Sequence, residues 1–428
     1  MTPEVKERIE QIRNGNVPEG YKKTKVGIFP CEWNVQPLSK LLEFKNGINA
    51  DKEKFGQGTK LISVRDILSD YPITYETIQG SVDVNEQQME EYGIKYGDIL
   101  FQRSSENYED AGTSNVYLDP NNTAVFSGFI IRGKKISEYD PVYLNALLRT
   151  SYVRKAIIRQ AAGAQHINIG QESLAKVHIA LADDPEQKKI AEILTAQDKV
   201  IELKEKRLAE KERQKKYLMQ QLLTGKKRFP GFEGEWRKVK LKEVLFERKE
   251  KNIAQDHRIC SVAVQKGVVD QVEHLGRSYA AADTSNYGVA HYGDIIYTKS
   301  PTGDFPYGII KQSHMHEDVA VSPLYGIYEP ACYELGYILH TYFSYAINCS
   351  NYLLPIIQKG AKNTINISND VFVSKSLYLP TDYEEQQALA QIFITADKEI
   401  ALLRQDLERE KQKKKALMQL LLTGIVRV

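Results

Sequence analysis

LMQQLLTG at positions 218–225 returns almost unchanged as LMQLLLTG at positions 417–424, 199 residues later. Each copy closes a charged stretch with helical periodicity, and each stretch follows a globular region of about one domain's length. In both stretches apolar residues recur at alternating steps of four and three, which is the spacing of a coiled-coil seam. The chain is therefore predicted to contain two similar modules, each ending in a long helix.

Shorter motifs repeat in the same order within the two globular regions. Trp33 corresponds to Trp236, and YGDIL at 96–100 corresponds to YGDII at 292–296. GAQHINI, which starts at position 163, corresponds to GAKNTINI, which starts at position 360. The separation of equivalent residues varies from 196 to 203 in these regions but stays at 199 through the helices. Length variation is thus confined to places where loops can absorb it.

Both helices carry sequence signals for their ends. Asp183 with Glu186, and Asp382 with Glu385, have the spacing of a capping box, and the glycine of each LLTG suits a left-handed C-terminal cap. Each helix should span roughly 40 residues, or about 60 Å at about 1.5 Å per residue. The apolar seam positions are Ile190, Leu194, Ile201, Leu208, Leu218 and Leu222 in the first helix and Leu389, Phe393, Ile400, Leu403, Leu407, Leu417 and Leu421 in the second.

The seam of the first helix is weaker because Gln197, Lys204, Lys211 and Lys215 interrupt it. Neither helix should be stable alone, since most helical stability in proteins comes from packing of an apolar face. We therefore expect the two helices to pack on each other as an antiparallel pair within the chain. Two separate coiled coils that recruit other chains are the alternative.

The composition indicates two or three ordinary globular domains, because 42% of the 428 residues are hydrophobic and 27% are charged. No apolar run is long enough to span a bilayer, and the charged N-terminal stretch is unlike a secretory signal. Cys31, Cys260, Cys332 and Cys349 lack CxxC spacing, which favours a reduced, cytoplasmic protein without a disulfide framework or zinc site. A net charge of +2 does not decide nucleic-acid binding, which depends on local clustering of charge.

Sequence motifs for catalysis are missing. DPVY at 140–143 is similar to a short motif of amino-methyltransferases, but valine replaces its second proline and no glycine-rich cofactor loop accompanies it. We interpret it as a helix start with Pro141 in the first turn. Residues 224–227 lack the upstream glycine and the spacing of a P-loop. His314 and His316 could hold a metal, but no partner cluster is apparent, and a solvated loop is the simpler interpretation.

Two polar segments recur at similar places in both globular regions. After the YGDI strands come Gln102, Arg103 and Ser104 in the first copy and Thr298, Lys299 and Ser300 in the second. After the Gly-Ala pairs come His166 and Asn168 in the first copy and Lys362, Asn363 and Asn366 in the second. Arg and Lys can pair with guanine, Asn and Gln with adenine, and hydroxyl groups with bases or phosphates. Any one of these residues could be a solvated turn, but similar position with different side chains favours two sites that read different DNA sequences.

Basic residues concentrate in the first helical stretch, where 186–228 has 13 basic and 7 acidic residues. The second helical stretch, 384–423, has seven of each. The segments 211–216 and 226–228 could track phosphates. A solvated helix face is the alternative.

The secondary structure within each globular region is predicted to be mixed. Short β-like runs at 61–64, 98–101, 124–131 and 294–297 alternate with loops. Helices are expected near 141–160 and 334–358. The first 20 residues have no counterpart in the second copy and could form an extra helix near the end of the C-terminal one. The pattern is typical of an α+β fold with mainly antiparallel pairing.

These features together resemble the specificity subunit of type I restriction–modification systems. The resemblance covers essentially the whole chain and is carried by VPEGYKKTKVGIFPCEW at 17–33, the two GDI strands, the two Gly-Ala segments and the two helices ending in LLTG. It implies an α+β fold with two similar target recognition domains, separated by a pair of long helices that form an antiparallel intramolecular coiled coil. The implied division is an N-terminal helical segment at 1–30, recognition domain 1 at 31–183, a central helix at 184–225, recognition domain 2 at 226–382 and a C-terminal helix at 383–428.

The resemblance also implies a function. Each recognition domain would read one half of a bipartite, asymmetric site in double-stranded DNA, while the helices fix the unread spacer and dock two modification subunits. Those subunits would carry S-adenosylmethionine and methylate adenine, and separate restriction subunits would use ATP and Mg²⁺ to translocate and cleave DNA. The chain itself would be non-catalytic, would hold no cofactor or metal and would have no membrane partner. A cytoplasmic scaffold that binds proteins is the competing class, and a lone nuclease or methyltransferase is disfavoured by the missing motifs.

Overall fold

The computed structural model describes residues 2–163, 166–225, 227–228, 230–359 and 365–428. The chain divides into two compact units: Met1–Lys204 together with Asp406–Val428, and Glu205–Gln405. Among the described residues, no helix is both long enough and apolar enough to cross a membrane. Each unit contains one globular domain and sections of two long helices. The five-segment division of the chain stays a prediction.

The helices of the described residues are α1 (Pro3–Arg13), α2 (Val64–Ile67), α3 (Glu86–Tyr92), α4 (Pro141–Leu148), α5 (Ser151–Ile158), α6 (Gln171–Ala175), α7 (Asp184–Leu222), α8 (Gln271–Leu275), α9 (Tyr333–Phe343), α10 (Ala346–Leu353), α11 (Asn369–Val373) and α12 (Tyr383–Leu421). The strands of the first unit are β1 (Tyr21–Thr24), β2 (Gly27–Pro30), β3 (Asn34–Pro37), β4 (Leu42–Asn46), β5 (Phe55–Ile62), β6 (Gly80–Val82), β7 (Ile99–Gln102), β8 (Ser104–Ser105), β9 (Ser114–Val116), β10 (Val125–Phe126), β11 (Ile130–Lys135), β12 (Ile167–Asn168) and β13 (His178–Leu181). The strands of the second unit are β14 (Arg237–Lys240), β15 (Leu245–Glu247), β16 (Arg258–Ala263), β17 (Gly267–Asp270), β18 (Gly288–Ala290), β19 (Ile295–Tyr297), β20 (Ile310–Gln312), β21 (Val319–Val321), β22 (Gly326–Pro330), β23 (Gln358–Lys359), β24 (Ile365–Asn366) and β25 (Ser376–Leu379).

The two units contain equivalent sheets. In the first unit an antiparallel sheet has the order β4-β11-β7-β9, and in the second the order is β15-β22-β19-β20. A neighbouring sheet in each unit includes one parallel pair, β5 with β10 or β16 with β21. The YGDI segments supply β7 and β19, which occupy the same place in their sheets. The predicted α+β fold with mainly antiparallel pairing is confirmed.

Some predicted elements are divided in the structure. The run at 124–131 forms two strands, β10 and β11, and the helix expected at 141–160 forms α4 and α5. Thr150 has an extended backbone (φ −67°, ψ 151°), so the helix is interrupted there and α5 begins as a separate helix. Tyr345 is likewise extended (φ −97°, ψ 116°) between α9 and α10. Sequence periodicity continues through such single-residue turns, so it did not reveal them.

The long helices α7 and α12 are each 39 residues, close to the predicted length. Each predicted apolar seam residue is buried or half-buried, in line with a seam that faces a partner helix. In the first unit the start of α7 packs near the end of α12, and in the second the end of α7 packs near the start of α12. The helices therefore run antiparallel, and the prediction of an intramolecular pair is confirmed.

The polar residues that interrupt the first seam have partners on the other helix. In the first unit Gln197 Nε2 donates to Glu410 Oε2 at 2.8 Å, and Lys204 pairs with Asp406. In the second unit the lysines at 211 and 215 do the same: Lys211 Nζ lies 2.9 Å from Glu399 Oε1, and Lys215 pairs with Asp397. Pairing of this kind specifies the register of a coiled coil more than it adds stability.

The N-terminal segment lies against the end of the C-terminal helix, as the sequence suggested. Arg8 of α1 donates from Nη1 to the carbonyl of Ile425 at 2.5 Å. Tyr21 Oη donates to the carbonyl of Gly424 at 2.6 Å. Gly424 has a φ of +67°, as the predicted left-handed cap requires, and a side chain there would meet Pro30.

Lys311 is a buried cation in β20 of the second unit. It is 5% exposed, its Nζ donates to Ser344 Oγ at 2.9 Å, and burial lowers its pKa to about 8 from 10.5. Between those two pH values the unfolded chain binds more protons than the folded one, so the free energy of unfolding should rise with pH. The rise should be at most on the order of 1 kcal/mol per pH unit. Urea unfolding at several pH values in this range measures the free energy of unfolding. It should rise with pH in the wild type but not in Lys311→Met. An equal slope against pH in both proteins would contradict the lowered pKa of Lys311.

Candidate nucleic-acid interface

Strand pairing brings the two polar segments of the first domain together. The short strands β8 and β12 are antiparallel neighbours, with Ser104 opposite Asn168. Ser104 Oγ donates to Asn168 Oδ1, and Asn168 Nδ2 donates to the carbonyl of His166 at 3.1 Å. Asn168 and His166 are exposed, and Ser104 is half-buried. Residues more than 60 positions apart in the sequence therefore form one small polar surface.

Arg103 lies next to this pair. Its Nη1 donates to the carbonyl of Gly128 at 3.3 Å, and the guanidinium makes no ion pair within the described ranges. Gln102 points the other way: it is 5% exposed, and its Nε2 donates to the carbonyl of Ser104 at 3.0 Å. Arg103 thus keeps donors available for a ligand, while Gln102 supports the backbone beneath the surface.

Two exposed aromatic residues border this surface and were not among the sequence candidates. Phe129 is 65% exposed, and its carbonyl accepts the backbone N–H of Arg103 at 2.8 Å. Tyr108 is 50% exposed, and its hydroxyl donates to the carbonyl of Gly163 at 2.9 Å. Large exposed aromatic side chains are enriched at binding surfaces. We call Arg103, Ser104, Tyr108, Phe129, His166 and Asn168 the first polar surface.

The second domain places Lys299 where the first places Arg103. Lys299 has a φ of +57°, which is unusual for a residue with a side chain. Its Nζ donates to Asn369 Oδ1 at 2.5 Å, and Asn369 Nδ2 donates to Glu247 Oε1 at 2.5 Å. Desolvation by burial lowers the pKa of Lys299. The ammonium is therefore held half-buried by Asn369, and the strained backbone marks a site worth testing for function.

The other candidates of the second domain have different placements. Thr298 is 3% exposed, and its hydroxyl accepts the N–H of Ile309 at 3.0 Å, so it has a structural position. Ser300 is exposed beside Lys299. Lys362 and Asn363 lie outside the described residues. Asn366 belongs to β24, which pairs with β23, and its side chain is also outside the description. The assignment of these residues to DNA contacts stays a prediction.

His314 and His316 belong to a group of aromatic rings. The ring of His316 stacks on Tyr292 with centroids 5.6 Å apart, and Tyr292 stacks on Tyr333 at 5.2 Å. Burial lowers the pKa of His314, which favours its neutral form. Within the described ranges, no group of three His, Cys, Asp or Glu side chains is placed to bind a metal.

The basic stretch of α7 is partly occupied by ion pairs. Lys211 and Lys215 lie in the seam and pair with acidic residues of α12, as described above. Arg213 is 75% exposed and pairs with Glu210 one helical turn earlier. Lys216 lies over the ring of Tyr345 at 5.2 Å. The stretch therefore contributes to the helix pair, and only its outer cations face solvent.

Comparison with known proteins supports one family. Residues 30–213 match the family model described as type I restriction modification DNA specificity domain. A protein of Methanocaldococcus jannaschii with the provisional name type I restriction enzyme MjaX specificity subunit is 25% identical over 436 residues, covering 96% of this chain and 97% of its own length. The expected resemblance to specificity subunits is confirmed.

Solved structures agree in fold. The crystal structure of a type I restriction–modification system S subunit from M. genitalium has a TM-score of 0.55 and 12% identity, covering 91% of this chain and 96% of that one. A structure titled for complex assembly and conformational transition of the type I R-M system has a TM-score of 0.52 and 13% identity, covering 93% of this chain and 99% of that one. At such low identity these similarities show a shared fold, with two mixed helix-and-sheet domains and two long helices.

Proposed function

We propose that this chain, which belongs to the specificity subunits of type I restriction–modification systems, reads a bipartite, asymmetric site in double-stranded DNA. Each recognition domain reads one half of the site, and the helix pair sets the unread spacer. The observation that carries the proposal is the duplicated scaffold with altered polar residues. Arg103 and Lys299 follow equivalent strands of equivalent sheets, but their surroundings differ. Such a difference suits two domains that read different half-sites.

The first polar surface has the chemistry for direct readout of bases. An arginine such as Arg103 can donate two hydrogen bonds to guanine O6 and N7, and an asparagine such as Asn168 can pair with adenine N6 and N7. Ser104 and His166 suit a phosphate or a base edge. Phe129 offers an apolar contact of the kind that recognises the thymine methyl group.

The second domain would contact DNA through Lys299, whose side chain is held more tightly than that of Arg103. Lys299 must exchange Asn369 for a base or phosphate, so its contact would be weaker unless the DNA draws it out of its half-buried position. Asn369 would then be released and could itself pair with adenine. Ser300 is exposed and needs no such rearrangement.

The helix pair also supplies equivalent apolar sites for partners. Leu203 on α7 is 54% exposed and Leu402 on α12 is 65% exposed, and these two residues are 199 positions apart in the repeat. A single exposed leucine is ordinary on a protein surface, but an exposed leucine at the same position of both helices is a candidate anchor for protein docking. Two equivalent anchors suit two copies of a modification subunit.

In this proposal the chain itself performs no chemistry. The modification subunits supply S-adenosylmethionine and methylate adenine, and the restriction subunits use ATP and Mg²⁺ to translocate and cleave DNA. This chain selects the DNA site and positions those subunits on it.

A selection from random duplex DNA tests the function. The full chain, assembled with its modification partner, should retain duplexes that share two short motifs at a fixed separation. The partner without this chain is the control and should select no motif. Retention of protein partners without any sequence-selective DNA would instead favour a protein scaffold and contradict the proposal.

A further inference from the structure

A buried glutamate at the start of α7 joins three separate segments of the first unit. Glu186 is 4% exposed, and its carboxylate accepts Trp33 Nε1–H at 2.8 Å and Arg427 Nε–H at 2.7 Å. Trp33 is fully buried and immediately precedes β3 of the recognition domain. Arg427 follows the end of α12 and also donates from Nη1 to Glu32 Oε2 at 3.1 Å. We call Trp33, Glu186 and Arg427 the first clamp.

The second unit contains the same arrangement. Glu385, at the start of α12, is 2% exposed and accepts Trp236 Nε1–H at 3.1 Å. Arg228, beyond the end of α7, binds it with both Nε and Nη2, at 3.0 and 2.9 Å. Trp236 immediately precedes β14 of the second recognition domain. We call Trp236, Glu385 and Arg228 the second clamp.

The repeat preserves the clamps through the helices. Glu186 and Glu385 are 199 positions apart, and so are Arg228 and Arg427. Each arginine follows an equivalent helix end, where a backbone N–H two residues beyond the glycine bonds a carbonyl six residues earlier: Lys227 to Gln221 and Val426 to Leu420, both at 3.0 Å. This tight cap turns the chain so that the arginine reaches the start of the other helix.

The clamps connect each recognition domain to the helix pair that sets the spacer. Each joins the start of one helix, the end of the other and the entrance to a recognition domain. A carboxylate that is almost fully buried is costly without its partners, so only orientations that keep the three groups in contact are low in energy. Charge-assisted hydrogen bonds to a planar guanidinium also depend on direction.

We propose that the two clamps fix the direction in which the helix pair leaves each recognition domain, with Arg228 and Arg427 as positioning residues for the spacer length. This inference rests on the proposed function, because it assigns the clamps to the accuracy of spacing between two half-sites. Arg427 lies outside the candidate DNA contacts, and Arg228, which belongs to the basic segment 226–228, has its Nε and Nη2 bound to Glu385. Breaking a clamp therefore affects the separation that is accepted and leaves the bases that are read unchanged.

The test uses the full chain in complex with its modification partner. Arg427→Gln and Arg228→Gln are assayed by retention on duplexes that contain both half-sites, with spacers up to two base pairs shorter or longer than the selected one. Arg409→Gln is the matched control, because Arg409 lies on the exposed surface of α12, outside the clamps and outside the basic segments 211–216 and 226–228. The wild type and the control should prefer one spacer length.

Each clamp variant should lose about tenfold discrimination against neighbouring spacers, equal to about 1.4 kcal/mol, while its half-site motifs stay unchanged. Arg427→Lys should recover part of the discrimination, because it keeps the charge but not the planar donor geometry. Wild-type spacing in both glutamine variants would overturn the inference. So would loss of the half-site motifs themselves, which would give the clamps only a role in holding the fold.

A second readout does not depend on DNA. Amide hydrogen exchange should become faster in the first turn of α7 and the last turn of α12 in Arg427→Gln, and at the opposite helix ends in Arg228→Gln. Unchanged hydrogen exchange at these helix ends would overturn the proposed role of the clamps in fixing the helices, even if the chain reads DNA as proposed. A wild-type chain that selects no two-part motif, with exchange altered as expected, would reject the proposed function and with it the role in spacing.

Discussion

Inserting one heptad into both long helices should lengthen the spacer of the recognised DNA site by about three base pairs. Seven helical residues add roughly 10 Å at about 1.5 Å per residue, and B-DNA rises about 3.4 Å per base pair. The insertions belong after Lys204 in α7 and after Gln405 in α12, because Lys204 pairs with Asp406 there and the seam stays in register on both sides. Selection from random DNA measures the new separation.

The half-site motifs should be unchanged in this variant, since the first polar surface and the surroundings of Lys299 are untouched. A heptad inserted only after Lys204 is the matched control. The single insertion shifts the part of α7 beyond Lys204 by seven residues against α12. Lys211 and Lys215 then lose their partners, and the chain should be strongly destabilised. A folded double-insertion variant that keeps the original spacer would refute the role of the helices in spacing.

Arg103→Ala should relax the sequence preference of one half-site and leave the other unchanged. A bidentate arginine–guanine pair is worth roughly 1–3 kcal/mol of discrimination, or roughly 5- to 150-fold. Arg103 makes no ion pair among the described residues, so its removal should have little effect on folding. The measurement is the base preference at each position of both half-sites, taken from the DNA sequences that the variant selects.

Two comparisons sharpen the Arg103 result. Arg65→Ala removes an exposed arginine from the same domain and should leave both motifs intact. Arg103→Lys keeps the charge, so it should retain affinity but lose part of the guanine preference, because lysine cannot reproduce the planar fork. Equal relaxation of both half-sites in Arg103→Ala would contradict the assignment of one domain to one half-site.

The helices were the part of this fold most accessible from the sequence. Their period of four and three persists over 39 residues, and no loop interrupts it. The lysines that interrupt the first seam have partners that α7 alone does not reveal, because Asp397, Glu399 and Asp406 belong to α12. Those acidic residues were visible in the sequence as charges, but their pairing needs the antiparallel register.

The side chains of Glu186 and Glu385 have a role that their capping-box spacing did not predict. Their spacing from Asp183 and Asp382 fits a capping box, and the aspartates do accept the glutamate N–H groups, at 3.0 and 3.3 Å. The glutamate side chains, however, bind tryptophans and arginines of distant segments. The equal separation of Arg228 and Arg427 in the repeat was the available signal, although their contacts become apparent only with the folded chain.

The candidate site was predictable in position but not in detail. Sequence patterns located the loops after β7 and β19, yet the pairing of β8 with β12 depends on tertiary structure. Gln102 and Thr298 are buried, while Ser104 is half-buried and Ser300 is exposed. Each pair lies two positions apart, where strand alternation alone would place both side chains on one face, so the difference depends on the folded chain. Phe129 has no repeated motif to mark it, so its place beside Arg103 follows only from the fold.

Mapping of methylated adenines tests the central claim most directly. Genomic DNA is sequenced from cells that carry the modification subunit with this chain and from cells that carry it without this chain. The account predicts modified adenines within two different short motifs at one fixed separation, and their disappearance when this chain is absent. A single uninterrupted motif, or two motifs at variable separation, would contradict it.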